Sequence, residues 1–375
     1  MFAPRARGLK MSGIRKMFDL AGFDAINLGL GEPDVPPPPH VLKAMKEALD
    51  SGHNKYGPTG GLPELRRTLA ERHSSQAGVR EGNVLVTTGA TEALYLTMQT
   101  FIDRGDEVLV PDPGFVLFAP HVRLAGGTPV FYPLLEEEGF IPRVEILQDL
   151  VTSRTKALIV NTPSNPTGSV MGEREVEAVA EFAEENQLLL ISDEVYDAIV
   201  YEKGHHSFLG KMDNLIYVNS FSKVFAVTGW RLGYLIAPEE YVETMSKVHY
   251  FMVACPPTPA QHAVLVGLQG SMDYVEDMVA KFRERRDRIV KRLNETPGFR
   301  CPRPDGAFYA FPSSTHPVTS EDLAFRLLKA GVICSPGSAF GKMGEGHLRF
   351  SYANSLEMIE RAMDIVASVV ENLIL

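Results

Sequence analysis

Apolar residues are spaced along this chain in two rhythms. Short runs rich in Val, Ile and Leu occupy 84–86, 107–110, 157–160, 188–192, 215–219 and 233–236. Runs this short and this continuous read as strands covered on both faces. Between many of them the spacing becomes helical, as at 173–186, where Val176, Val179 and Phe182 recur on one side. The alternation of strand and helix predicts an α/β fold with a largely parallel sheet between helical layers.

From about residue 270 a long amphipathic helix begins, with Val275, Val279, Phe282, Ile289 and Leu293 on one face and Arg283, Glu284 and Arg285 opposite. Strand-like pieces at 307–311, 332–335 and 347–351 then surround another helix, the signature of a smaller α+β domain. The prolines at 36–39 disfavour helix and set off what precedes them. The expected organisation is an N-terminal arm with part of the small domain at 1–40, a large domain at 41–270 and a small C-terminal domain at 271–375.

Composition narrows the function classes. A chain of 375 residues, 45% hydrophobic, can bury a large core. Its net charge of -10 argues against nucleic acid or an anionic membrane as partner. Cys255, Cys301 and Cys334 are far apart and lack metal-ligand spacing, which fits a reducing compartment. With no apolar run of signal-peptide or membrane-spanning length, a cytoplasmic location is expected and no metal is.

In parallel sheets ligands bind beyond the carboxyl ends of the strands, and Gly89, Asn165, Asp193 and Lys223 all follow predicted strands. The run Ser220-Phe221-Ser222-Lys223-Val224-Phe225-Ala226-Val227-Thr228-Gly229-Trp230-Arg231 sets a lysine among hydroxyls and an arginine. Burial and nearby positive charge would make that amine a nucleophile toward carbonyls, and Ser220 and Arg231 suit a phosphate. Alone, Ser-x-Ser-Lys reads first as a surface lysine after a strand, and only its partners change that. Thr87-Thr88-Gly89-Ala90-Thr91 leads into a helical pattern, where free N–H groups bind phosphate or are simply capped. Asp193-Glu194-Val195-Tyr196 puts a carboxylate at a strand end, either beside a heterocyclic nitrogen or capping the next turn. Asn161-Thr162-Pro163-Ser164-Asn165-Pro166-Thr167-Gly168 is a rigid loop whose amide can donate to a phenolate, or plain turn chemistry.

Taken together, in order and spacing, these segments resemble the class I aminotransferases, enzymes of fold type I that use pyridoxal 5′-phosphate. The resemblance runs from Leu28-Gly29-Leu30-Gly31-Glu32-Pro33-Asp34 to Gly346-His347-Leu348-Arg349-Phe350-Ser351-Tyr352. It implies a seven-stranded-type sheet, with Lys223 as Schiff-base lysine, Asp193 on the pyridine nitrogen, and Tyr196 and Asn165 on the phenolic oxygen. Ser220, Arg231 and the backbone of Gly89, Ala90 and Thr91 correspond to phosphate ligands. Phe115 falls where the family stacks an aromatic ring, often Trp, on the cofactor. Tyr56 corresponds to the residue that reaches the neighbouring subunit's phosphate, implying a homodimer. Arg349 corresponds to the fork that takes the substrate α-carboxylate, and Gly31 to the segment closing over substrate.

The implied reaction is ping-pong transfer of an amino group from an L-amino acid of aspartate or aromatic type to a 2-oxo acid such as 2-oxoglutarate. The alternative on the same fold is a β-eliminating lyase of the cysteine-sulfur type. Arg15 or Lys16 is a candidate for an acidic side chain of the substrate, against a solvated helix face.

Overall fold

The computed structural model describes residues 2, 25–202 and 204–374. Arg15 and Lys16 lie outside the described residues. The strands, in chain order, are β1 (Ile26–Asn27), β2 (Val84–Thr87), β3 (Glu107–Asp112), β4 (Thr128–Pro133), β5 (Thr155–Asn161), β6 (Leu189–Asp193), β7 (Leu215–Ser220), β8 (Gly233–Ile236), β9 (Phe299–Arg300), β10 (Tyr309–Ala310), β11 (Ser313–Ser314), β12 (Val332–Ile333), β13 (Ser335–Pro336) and β14 (Leu348–Ser351). Seven of them form one sheet in the order β2-β8-β7-β6-β5-β3-β4. Only β8 in that sheet runs antiparallel to its neighbours.

Side-chain alternation explains why these strands read as continuous apolar runs. Leu158, Val160 and Leu190 enter one buried cluster, while Ala157, Ile159, Leu189 and Ile191 enter another on the opposite face. Helices cover both faces, so both alternating sets are apolar. β4 carries no such run and was not predicted. It is an edge strand whose residues are largely accessible, so its sequence Thr-Pro-Val-Phe-Tyr-Pro lacks the signal of double burial.

A separate buried cluster joins β1, β10, β12 and β14 to the helices Asp273–Glu295, Ser320–Lys329 and Leu356–Ile374. The segment predicted as one strand at 332–335 divides in two: β12 pairs in parallel with β1, and β13 pairs antiparallel with β14. In the helix Asp273–Glu295 the apolar face is as predicted at Val275, Phe282, Ile289 and Leu293, and Val279 is only partly covered. Arg286 is also fully buried in this helix, bound to Glu202 at 2.7 Å and stacked 4.4 Å from the Tyr201 ring centre. The last of the four prolines, Pro39, is the first residue of the helix Pro39–Asp50, where a missing N–H removes no helical hydrogen bond.

Candidate active site

Chain direction sets the position of the candidate residues. Gly89, Asn165, Asp193 and Lys223 lie at or just past the carboxyl ends of β2, β5, β6 and β7. Arg231 precedes β8, and because β8 is antiparallel, its start lies at that same edge. Together with Gly31, Ala90, Thr91, Phe115, Tyr196, Ser220 and Arg349, these residues border one cavity of about 310 Å³, with Gly89 packed just behind its wall. Among the sequence candidates Tyr56 does not line it. Tyr56 is 88% exposed and borders a separate depression with Thr88 and Val253.

Ser220 caps the one-turn helix Phe221–Val224 by accepting the Ser222 N–H, which points Lys223 into the cavity. The Lys223 Nζ donates to the Gly31 carbonyl at 2.5 Å. Burial, opposed by Glu32 and assisted by Arg349 and Arg231, pushes the lysine down to about 8. Of the two cations Arg349 contributes more, and Glu32 is an opposing charge that the sequence did not single out.

Asp193 is buried, and its Oδ1 accepts one N–H, from Val195 at 3.3 Å. The capping contact is therefore present, but it is weak. Burial first, then the adjacent Glu194, pushes the Asp193 carboxyl up to about 7, with the Val195 N–H and Lys223 pulling the other way. A carboxyl buried with so little support is stabilised as an anion only by a cationic partner.

Arg349 is buried, and its hydrogen bonds go to neutral acceptors: Nη1 to Asn165 Oδ1 at 2.8 Å, Nη2 to the Gly29 carbonyl at 2.6 Å and to Ser335 Oγ at 3.4 Å. Its Nε is buried without a partner. Tyr309 and Phe340 pack on the guanidinium, at 4.5 and 4.8 Å from the ring centres. Asn165 spends its side-chain oxygen on Arg349 and its backbone N–H on Asn161 Oδ1 at 2.8 Å, which leaves its side-chain NH₂ as the group that can donate to a ligand. The Tyr196 hydroxyl is 2.7 Å from that of Tyr309.

Tyr309 borders the cavity but reads in the sequence as one more apolar position of β10; its hydroxyl becomes visible only once β14 brings Arg349 beside it. A side chain at Gly31 would run into that hydroxyl. At the other end, the helix Ala90–Phe101 begins after Gly89 without a side-chain cap. Gly89 has φ +79°, and a Cβ there would lie 2.5 Å from Arg231 Nη2. Uncapped helical N–H groups and a guanidinium converge on one spot, which is a cradle for a divalent oxyanion. The unsupported Asp193, the orphan Arg349 Nε and this cradle together fit a molecule bearing a cationic heterocycle, a phosphate and a carboxylate-bearing substrate.

The family model for aminotransferase class I and II matches residues 24–366. A probable aspartate aminotransferase of Methanocaldococcus jannaschii is 42% identical, over 99% of this chain and 100% of the relative. Aromatic-amino-acid aminotransferase 2 of Thermococcus litoralis is 41% identical over 96% of each. A single mutant of Thermus thermophilus aspartate aminotransferase superposes with a TM-score of 0.94 at 38% identity, covering 98% of this chain and 99% of that one.

Proposed function

The chain belongs to the aminotransferases of class I and II, and from that membership we propose that it carries an amino group from an L-amino acid of aspartate or aromatic type to a 2-oxo acid such as 2-oxoglutarate, using pyridoxal 5′-phosphate. The observation that carries this reading is Arg349, a buried guanidinium with neutral acceptors and a free Nε in a cavity shared with Lys223 and Asp193. A buried cation so placed is waiting for a carboxylate.

In this reading the cradle of Gly89, Ala90, Thr91, Ser220 and Arg231 holds the phosphate, Phe115 supports the ring, and the NH₂ of Asn165 with the Tyr196 hydroxyl meets the phenolic oxygen. When bound, pyridoxal phosphate supplies a protonated conjugated heterocycle that accepts the electron pair left when the substrate Cα loses its proton. Asp193 keeps that heterocycle protonated. Lys223 would hold the cofactor through its nitrogen and would take the proton from the substrate Cα; a pKa lowered to about 8 leaves part of the amine free to do so near neutrality. Arg349 orients the α-carboxylate, and Gly31, with its carbonyl on Lys223 Nζ, closes one side against water.

The reading also makes the protein a homodimer of chains with a large domain at 41–270 and a small one at 271–375. Tyr56 supports the dimer: it is exposed and lines no part of its own cavity, and Phe251, 85% exposed, and Tyr250 lie near the end of the helix whose Val253 borders the same depression. Both are suited to burial against a partner.

For the donor, Leu30, Phe115, Val116 and Tyr309 line the cavity and favour an aromatic ring, while its described cations, Lys223, Arg231 and Arg349, all have other duties. A screen of Asp, Tyr, Phe and Ala against 2-oxoglutarate tests the function directly. Glutamate should form with aspartate or an aromatic donor, in parallel-line ping-pong kinetics. Release of sulfide and ammonia from cysteine, added with no 2-oxo acid present, would instead establish elimination.

Arg349→Lys should raise the donor KM by about tenfold or more, because one ammonium cannot reproduce a bidentate fork, and should leave the absorbance of the bound cofactor unchanged. An unaltered KM would remove Arg349 from carboxylate binding.

A further inference from the structure

We infer that Glu92, braced by His249, is a positioning residue that fixes the peptide turn taking the cofactor's phosphate; this rests on the phosphate assignment proposed above. Glu92 is in the first turn of the helix Ala90–Phe101 yet is buried, 8% exposed. Its carboxylate does not cap the helix from the front. One oxygen accepts the Thr88 N–H, and the other accepts from His249 Nδ1 at 2.7 Å. A carboxylate only accepts, so Nδ1 carries the proton of this pair.

His249 shows that the arrangement has a purpose beyond packing. It is fully buried in the helix Glu239–Val253, and its Nε2 has no partner, a costly placement for an imidazole that an apolar side chain would avoid. What the imidazole holds is Glu92. What Glu92 holds is the turn, whose other constraints are the Gly89 N–H on the Thr87 carbonyl at 2.8 Å and the Thr87 hydroxyl on the Gly89 carbonyl at 3.0 Å. Gly89, at φ +79°, is the one position in this turn with no side chain to restrict it. Holding the Thr88 peptide therefore restricts where the N–H groups that follow Gly89 can point, in a turn packed against Arg231. Glu92 does not line the cavity, so its negative charge also favours the helix N-terminus without occupying the anion's place. An anion site aligned before binding loses less freedom on binding and holds its ligand longer.

The test uses the full chain stripped of small molecules and titrated, by absorbance, with pyridoxal phosphate and separately with pyridoxal, which lacks the phosphate. Glu92→Ala should weaken pyridoxal phosphate by about tenfold or more and pyridoxal by less than about twofold, since a hydrogen bond to a charged group is lost only behind the phosphate turn. Glu92→Gln, whose carbonyl oxygen still accepts the Thr88 N–H, should recover affinity to within about threefold of the original. Should Glu92→Ala fail to fold, His249→Ala carries the same comparison, with several-fold weakening of pyridoxal phosphate alone. Equal losses for the two ligands, or no loss for either, overturn the inference. An unsubstituted chain that takes up no pyridoxal phosphate overturns the cofactor reading instead, and the two failures are told apart by that first titration.

Discussion

Lys223→Ala should abolish turnover, by about 10⁴-fold or more, while leaving uptake of pyridoxal phosphate measurable. The size follows from removing one amine that serves both as covalent anchor and as proton carrier, each worth orders of magnitude in rate. Uptake persists because the helix start, Ser220 and Arg231 do not depend on the lysine for their positions: Ser220 is held by the Leu232 carbonyl at 3.1 Å, and Arg231 by the Thr228 carbonyl at 3.1 Å. Borohydride reduction separates the two functions. In the unsubstituted protein a peptide containing Lys223 should gain a pyridoxyl mass; in the variant no peptide should. Undiminished activity in Lys223→Ala, or a pyridoxyl mass on a different lysine, would remove residue 223 from the chemistry.

The sheet was legible because both of its faces are buried. Strands such as β5 and β6 carry unbroken apolar runs, Ala157 to Val160 and Leu189 to Ile191, that feed clusters on both faces, a signal that a half-exposed strand lacks. The same reasoning fails for β4, where one edge and much of the surface meet solvent, and for β12 and β13, each two residues long and paired with different partners. At the site, residues next to a strand end could be found from order alone, since the carboxyl edge of a parallel sheet gathers them. Tyr309, Glu32 and the Glu92–His249 pair could not. Each gains its meaning from a partner distant in the chain, Tyr309 from Tyr196 and Arg349, Glu32 from Thr228 at 2.9 Å, and Glu92 from a histidine 157 positions away. Tyr56 was legible in another way: the family resemblance singles it out, yet in the folded chain it is exposed and lines a depression separate from the cavity.

Asp193→Asn should lower turnover by about 10³-fold or more with little change in packing, because the carboxamide fills the same space but cannot carry the charge that keeps a heterocyclic nitrogen protonated. A steady-state loss under about tenfold would contradict the assignment. The same substitution has an independent readout in the stripped protein. There the folded carboxyl titrates near 7 against an ordinary value of 3.8, chiefly because burial penalises the anion. Between those two values the folded chain holds a proton that the unfolded chain has lost, so the group's contribution to stability is complete at low pH and disappears as pH rises through 7. Asparagine does not titrate. The melting temperature of Asp193→Asn should therefore climb relative to the unsubstituted protein as pH rises from about 4 to 7, then level off. Loading the unsubstituted protein with pyridoxal phosphate should flatten that slope, since a cationic ring nitrogen beside the carboxyl stabilises the anion that burial disfavours. Identical pH slopes in the stripped variant and the stripped original would mean that residue 193 is not a strained buried acid.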